Sequence, residues 1–336
     1  VSAVDFFASS RVLIVAGKGG VGKTTVGATV GVAAAAAGCD VLLVELEGMS
    51  TLAAPFGLDA LGYEPTTLIG PGAAVSGGPD AGDGGGRLQA RRITPDEALA
   101  EYLDASGLRV VTDRMARSGA VEVVATTAPG IRDLVTLGKI RQLEQGGEAD
   151  LIVVDAPAAG HAITFLRAAS GLARSTSSGP VRHQADLVLD LLGDAERCQV
   201  MLVTTPEETP VTEVVETAYS LEDQVGVALG PVVVNACWPP IDGLDQALAA
   251  EASTEGGTGG AGSDPWRREL LDAARYRLAR IERQRTEITR LQRELPLPTI
   301  ELPFLFTTSL GRDDLDELAR ALTAQLDRSS AGVAGS

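Results

Sequence analysis

Gly17-Lys18-Gly19-Gly20-Val21-Gly22-Lys23-Thr24-Thr25 fits the phosphate-loop pattern G-x-x-x-x-G-K-[ST]. The residues before it, Val12-Leu13-Ile14-Val15-Ala16, form a short β-branched apolar run and read as a buried strand. The residues after it are alanine-rich and free of proline up to Gly38-Cys39, which predicts a helix. Strand, glycine loop and helix in that order are the context that turns a pattern into a site. Glycine lets the backbone curl until its N–H groups face a β-phosphate, and the helix N-terminus adds positive potential. Residues Gly17, Lys18, Gly19, Gly20, Val21, Gly22, Lys23, Thr24 and Thr25 are therefore the expected nucleotide-binding stretch. Lys23 is expected to neutralise the β- and γ-phosphates of ATP, and the Thr24 hydroxyl to ligate Mg²⁺.

Composition sharpens the reading. The chain has 336 residues, enough for one large α/β domain, and 45% are hydrophobic. Of 28 Lys plus Arg, only Lys18, Lys23 and Lys139 are lysine. Arginine is thus used wherever any cation will serve, and a forked guanidinium cannot replace a compact ammonium between phosphates. Lys139, on a helix, reads as a surface cation. The net charge of −17 opposes non-specific binding to nucleic acid or anionic lipid. No apolar run approaches the ~20 residues of a membrane span, and the first residues carry no basic region of a signal peptide. Cys39, Cys198 and Cys237 form no CxxC and suit a reducing cytoplasm.

The rest of the chain alternates strands with helices, which implies a doubly wound, mostly parallel α/β sheet flanked by helices, a P-loop NTPase. Val41 to Glu47 reads as a second buried strand, and its acidic end puts Glu45 and Glu47 near the phosphates. Thr94 and Glu97 read as the capping box of a helix through about Leu103. Val121 to Ala125 reads as a strand and Asp133 to Leu143 as a helix. Leu151-Ile152-Val153-Val154-Asp155 is a Walker B pattern, with Asp155 expected to hold Mg²⁺ beside Thr24. Ala156-Pro157-Ala158-Ala159-Gly160-His161 follows it as a segment able to sense a γ-phosphate. Helical residues 162–195 are expected to break at Gly171 and at 175–180. Strands are expected at Val200–Thr204, Val232–Asn235 and Pro298–Leu302, and helices at 208–224, Trp266–Glu294 and Asp314–Leu326. Residues 1–328 make a single domain with flexible inserts near 70–87 and 251–264, and 329–336 a disordered tail.

A second lysine directly after the first glycine makes KGGVGKT, which resembles the deviant Walker A loop of MinD, ParA, nitrogenase iron protein and the arsenite-pump/tail-anchored-protein-targeting ATPases, the ArsA family. Val154-Asp155-Ala156-Pro157 with Gly160-His161 resembles the DTAPTGH segment of the ArsA family, and Pro129-Gly130-Ile131 its PGIDE segment. Val234-Asn235 resembles the VVN segment, and Leu302-Pro303-Phe304-Leu305 the LPLLP segment. The resemblance runs in order over about residues 11–325 and is strongest to bacterial, actinobacterial-type members. It implies that Asn235 and Pro303 meet the adenine, and that Lys18 crosses a dimer interface to the partner's nucleotide. Lys18, Lys23 and Glu47 are then the catalytic set. Three departures stand out: no zinc-binding CxxC, no cysteine cluster for a metalloid, and no Met-rich insert between His161 and Gln199. In addition, Glu47-Gly48-Met49-Ser50 stands where the family has Asp-Pro-Ala-His, so Glu47 replaces the water-orienting aspartate.

The function these readings imply is a dimeric, Mg²⁺-dependent ATPase whose hydrolysis switches its conformation on a protein or membrane-associated client. The dimer partner is a second copy or a paralogue, and peripheral membrane association stays open. A ParA/MinD-like positioning ATPase is opposed by acidity and by the lack of a basic amphipathic C-terminal helix. A weakly active nucleotide-binding subunit paired with an active paralogue is the other alternative. Guanine specificity is disfavoured, because there is no NKxD motif.

Overall fold

Eight strands form one sheet in the order β3-β4-β2-β5-β1-β6-β7-β8, in a computed structural model that describes residues 2–46, 52–72, 85–105, 130–254 and 265–333. The chain runs α1 (Ala3–Ala8), β1 (Val12–Gly17), α2 (Lys23–Ala36), β2 (Val41–Leu46), β3 (Thr66–Ile69), β4 (Leu88–Ile93) and α3 (Pro95–Ala105). It continues through α4 (Ile131–Gly146), β5 (Leu151–Ala158), α5 (Ala159–Ser175), α6 (Pro180–Leu192), β6 (Cys198–Thr204) and α7 (Glu208–Gln224). It ends with β7 (Ala228–Cys237), α8 (Leu244–Thr254), α9 (Pro265–Glu294), β8 (Thr299–Pro303) and α10 (Arg312–Val333). All strand pairings are parallel except that of the edge strand β3 with β4.

The apolar runs explain the centre of the sheet. β1 and β2 are buried along their whole length, as strands covered on both faces must be. One apolar layer joins α1, α2 and α10 to one face through Phe7, Val26, Val30 and Leu322. The other joins helices of the opposite face through Leu137, Phe165, Val188, Val214 and Leu291. β1 pairs with β5 on one side and β6 on the other, with Val15 opposite Asp155, and Glu45 is also opposite Asp155. The carboxyl ends of β1, β2 and β5 thus meet at one crevice, where doubly wound sheets bind ligands.

The differences from the sequence reading are local. α1, β3, β4 and α8 have no counterpart in it. β4 carries Arg91 and Arg92 in succession and so lacks an apolar run, yet both faces of the strand are covered. Gly171 does not break the helix: α5 continues through it, and the chain leaves helical conformation at Thr176. α10 reaches Val333, inside the stretch 329–336 expected to be a tail. Lys139 is not a surface cation; it is buried, 8% exposed, because Glu101 on α3 pairs with it at 2.6 Å. The expected strand Val121–Ala125, Pro129, Glu47 with the rest of 47–51, and residues 73–84 and 255–264 of the inserts lie outside the described residues.

Candidate nucleotide site

The loop between β1 and α2 is shaped by two close approaches. A Cβ on Gly17 would lie 2.2 Å from the Val203 carbonyl oxygen of β6, so only glycine lets the strand end this close. Gly22 has φ 89, and a Cβ there would lie 2.2 Å from Asn235 Nδ2. Gly22 also caps α2 without any side-chain hydrogen bond. The first-turn N–H groups of Lys23, Thr24 and Thr25 are thereby left for a ligand, at the positive end of the helix dipole.

Three side chains converge on this helix start. Lys23 is 6% exposed and its Nζ donates to the Lys18 carbonyl at 3.1 Å. Burial holds its pKa below the ordinary lysine value, against the pull of Asp155. Thr24 Oγ1 donates to Asp155 Oδ2 at 2.6 Å. Asp155 Oδ1 is buried and has no hydrogen-bond partner. A buried lone oxygen beside a threonine hydroxyl is a donor set that fits Mg²⁺ or one of its waters.

Burial raises the Asp155 pKa from 3.8 to about 6, with the Thr24 hydrogen bond and Lys23 opposing and Glu45 adding to the rise. The folded chain keeps this proton up to about pH 6, whereas the unfolded chain releases it near 3.8. The stabilisation is complete below the unfolded value and is lost as pH rises through the folded one. Ionised Asp155 at pH 7.5 therefore costs the metal-free fold on the order of 3 kcal/mol. Asp155→Asn is expected to raise Tm in EDTA at pH 7.5 by a few degrees, with the gain vanishing below pH 4, while Mg²⁺-dependent turnover falls. Thermal melts across pH, paired with a turnover assay, check both halves.

Glu45, fully buried, is engaged elsewhere. Its Oε2 accepts from Arg92 Nε at 3.0 Å, and its Oε1 from the Leu52 amide at 3.4 Å. Glu45 thus ties the end of β2 to β4 and to Leu52. Lys18 points its ammonium at Glu213 Oε1 on α7, at 2.6 Å, with both side chains 38% exposed. His161 is exposed in the first turn of α5.

The expected adenine residues lie together. Thr25, Asn235, Ala236, Pro303, Phe304 and Leu305 line a cavity of about 360 Å³ next to the loop. Asn235 Nδ2 donates to the Val21 carbonyl at 3.0 Å, which ties β7 to the phosphate loop. Ala236 has φ 61, a strained conformation for a residue with a Cβ, held by the Phe304 amide bond to the Cys237 carbonyl. Residue type alone gives no signal for that strain.

Cys39, Cys198 and Cys237 are free, and burial pushes Cys198 and Cys237 up to about 12. No described helix is long and apolar enough to cross a membrane.

Known proteins are similar to this chain in sequence. Residues 10–177 match the family model described as anion-transporting ATPase. The chain is 33% identical to ATPase BagA of Mycobacterium tuberculosis over 333 residues, covering 94% of this chain and 93% of that protein. It is 28% identical to an arsenical pump-driving ATPase of Escherichia coli over 250 residues, covering 70% of this chain and 36% of that one. With ATPase GET3B of Arabidopsis thaliana the identity is 25% over 262 residues, covering 67% and 63%.

Proposed function

The chain belongs to the anion-transporting ATPase (ArsA) family, and we propose that it works as a Mg²⁺-dependent dimer whose ATP hydrolysis switches its conformation on a client protein or a membrane-associated partner. The observation that supports this reading is the Thr24–Asp155 pair with its unpartnered Asp155 Oδ1, beside a helix start with no side-chain cap. In this reading Thr24 and Asp155 hold Mg²⁺, which when bound offsets charge on the β- and γ-phosphate oxygens. Lys23 leaves the Lys18 carbonyl for the phosphates, and the amides of Gly20 to Thr25 orient them. The cavity at Asn235 and Pro303 takes the base.

Hydrolysis then needs a group that orients water. Glu45 is neutralised by Arg92, which leaves Glu47 as the proposed carboxylate. Its side chain is one methylene longer than aspartate, and a misplacement of about 1 Å can cost on the order of a hundredfold. Slow basal turnover is the expected result, rising when a client reshapes residues 47–51.

Purified protein should hydrolyse ATP with Mg²⁺ and not in EDTA, and light scattering should show a dimer with an ATP analogue. Glu47→Ala should cut single-turnover hydrolysis and leave ATP affinity within a few-fold. Turnover unaffected by EDTA would sink the metal assignment, and wild-type turnover in Glu47→Ala would reduce Glu47 to a strand-end carboxylate.

A further inference from the structure

α3, α4, β4 and the segment Tyr63–Pro65 enclose a cleft of about 610 Å³. That volume lies within the range of about 300–1,000 Å³ of small-molecule sites. It lies on the α3/α4 face of the sheet, whereas Arg92, next along β4, points to the other face and Glu45. The third lysine of the chain lies here, away from the phosphate loop that holds the other two.

The wall is built from charge. Glu101 accepts from Lys139 Nζ at 2.6 Å, from the Tyr63 hydroxyl at 2.5 Å and from Gln142 Nε2 at 3.4 Å. Its negative charge is thus fully taken. Arg91 is 5% exposed, and its guanidinium carbon stacks 4.4 Å from the Tyr63 ring centroid. That guanidinium makes no hydrogen bond or ion pair with any described residue, and its Nε is buried without an acceptor. A buried unpaired guanidinium destabilises a fold, and the ring face offsets only part of this. Glu64, Glu97 and Glu148 line the same cleft, yet none of the described acidic residues pairs with Arg91. The Lys139–Tyr63–Gln142 set keeps Glu101 from doing so. Among the described residues no acceptor serves Arg91, and the cleft leaves room for one from a bound ligand.

Two features fix its chemistry. A planar carboxylate matches the guanidinium fork. The exposed Glu64, Glu97 and Glu148 at the mouth repel a phosphate or a dicarboxylate and attract an ammonium. We propose that this cleft is a second binding site, for a free α-amino acid whose carboxylate pairs with Arg91 and whose ammonium faces the glutamates of the mouth.

The test is binding without nucleotide, so its outcome is independent of the ATPase reading. Isothermal titration and thermal shift would use a panel of the protein amino acids, with acetate and inorganic phosphate as comparison probes. At least one amino acid should bind saturably, acetate at least about tenfold more weakly, and phosphate not at all. Arg91→Gln should weaken the amino acid by at least about tenfold. Arg91→Met should melt at or above the wild-type temperature without ligand, since removing an unpaired buried charge is neutral or stabilising, and should lose the ligand-induced shift. The proposal is overturned if no amino acid binds, if phosphate binds as tightly, or if Arg91→Gln binds like wild type. It is overturned as well if Arg91→Met melts far below wild type, because Arg91 is then a structural cation.

Discussion

Replacing Lys23 with alanine is expected to weaken ATP binding by about 30-fold to several-thousand-fold, the range for removing one member of a buried charge pair. The phosphate chain would then meet, within its own chain's loop, the dipole of α2 and its uncapped N–H groups without the buried ammonium. The fold should survive the change. Lys23 makes a single hydrogen bond, to the Lys18 carbonyl, and burial already disfavours its charge. Its removal in the nucleotide-free chain should therefore leave Tm unchanged or slightly higher. This separates a binding effect from an unfolding one. Isothermal titration with ATP, alongside a melt, gives the answer. Near-native affinity in a folded Lys23→Ala chain would remove the phosphate-loop assignment. A collapsed Tm would mean that Lys23 supports the fold, contrary to its geometry.

The parts of the site that could be read from sequence are those fixed by chain adjacency. Val12–Gly17 and Leu151–Ala158 are apolar runs that end in the loop and in Asp155, and parallel pairing with Val15 opposite Asp155 does the rest. Thr24 and Asp155 had to meet once both strands entered the same sheet as neighbours. Asn235 and Pro303 are different. Nothing in their local sequence brings them to Thr25, and only the family resemblance pointed there. The ion pairs of Glu45 and Lys139 were hidden because they depend on charge pairing between distant elements. Nothing in the local sequence of Arg92 shows that Glu45, 47 positions earlier, lies beside it. Lys139 reads as a surface cation because a helix offers no hint that Tyr63 and Glu101 will cover it. β4 was lost for the same reason: two arginines interrupt the apolar pattern, and the burial of Arg91 comes from a tyrosine 28 positions earlier in the chain, on the approach to β3.

Lys18→Ala is expected to leave ATP affinity within a few-fold and to lower turnover on the order of a thousandfold, as removal of a cation supplied from across an interface does in phosphoryl transfer. The proposed target of Lys18 is the nucleotide of the second chain, so the single chain should hold it elsewhere, and it does: Glu213 on α7 takes its ammonium at 2.6 Å. Both groups are 38% exposed, and a surface pair of this kind is worth about 0–1 kcal/mol. That is weak enough to be exchanged for a phosphate oxygen when two chains close. Complementation is the decisive measurement. Lys18→Ala chains bind ATP but lack the crossing lysine, and Lys23→Ala chains keep that lysine but bind ATP poorly. Neither should turn over alone. In an equal mixture half of the dimers are mixed, and each has one competent site of two, so about a quarter of wild-type turnover should return. Mixed dimers that form and stay inactive would show that Lys18 acts within its own chain. Glu213→Gln supplies the control: it frees Lys18 without removing it, and should leave turnover at or above the wild-type rate. A loss of turnover in Glu213→Gln comparable to that of Lys18→Ala would mean that the cis pair itself, and not a lysine released to the partner, is the active arrangement.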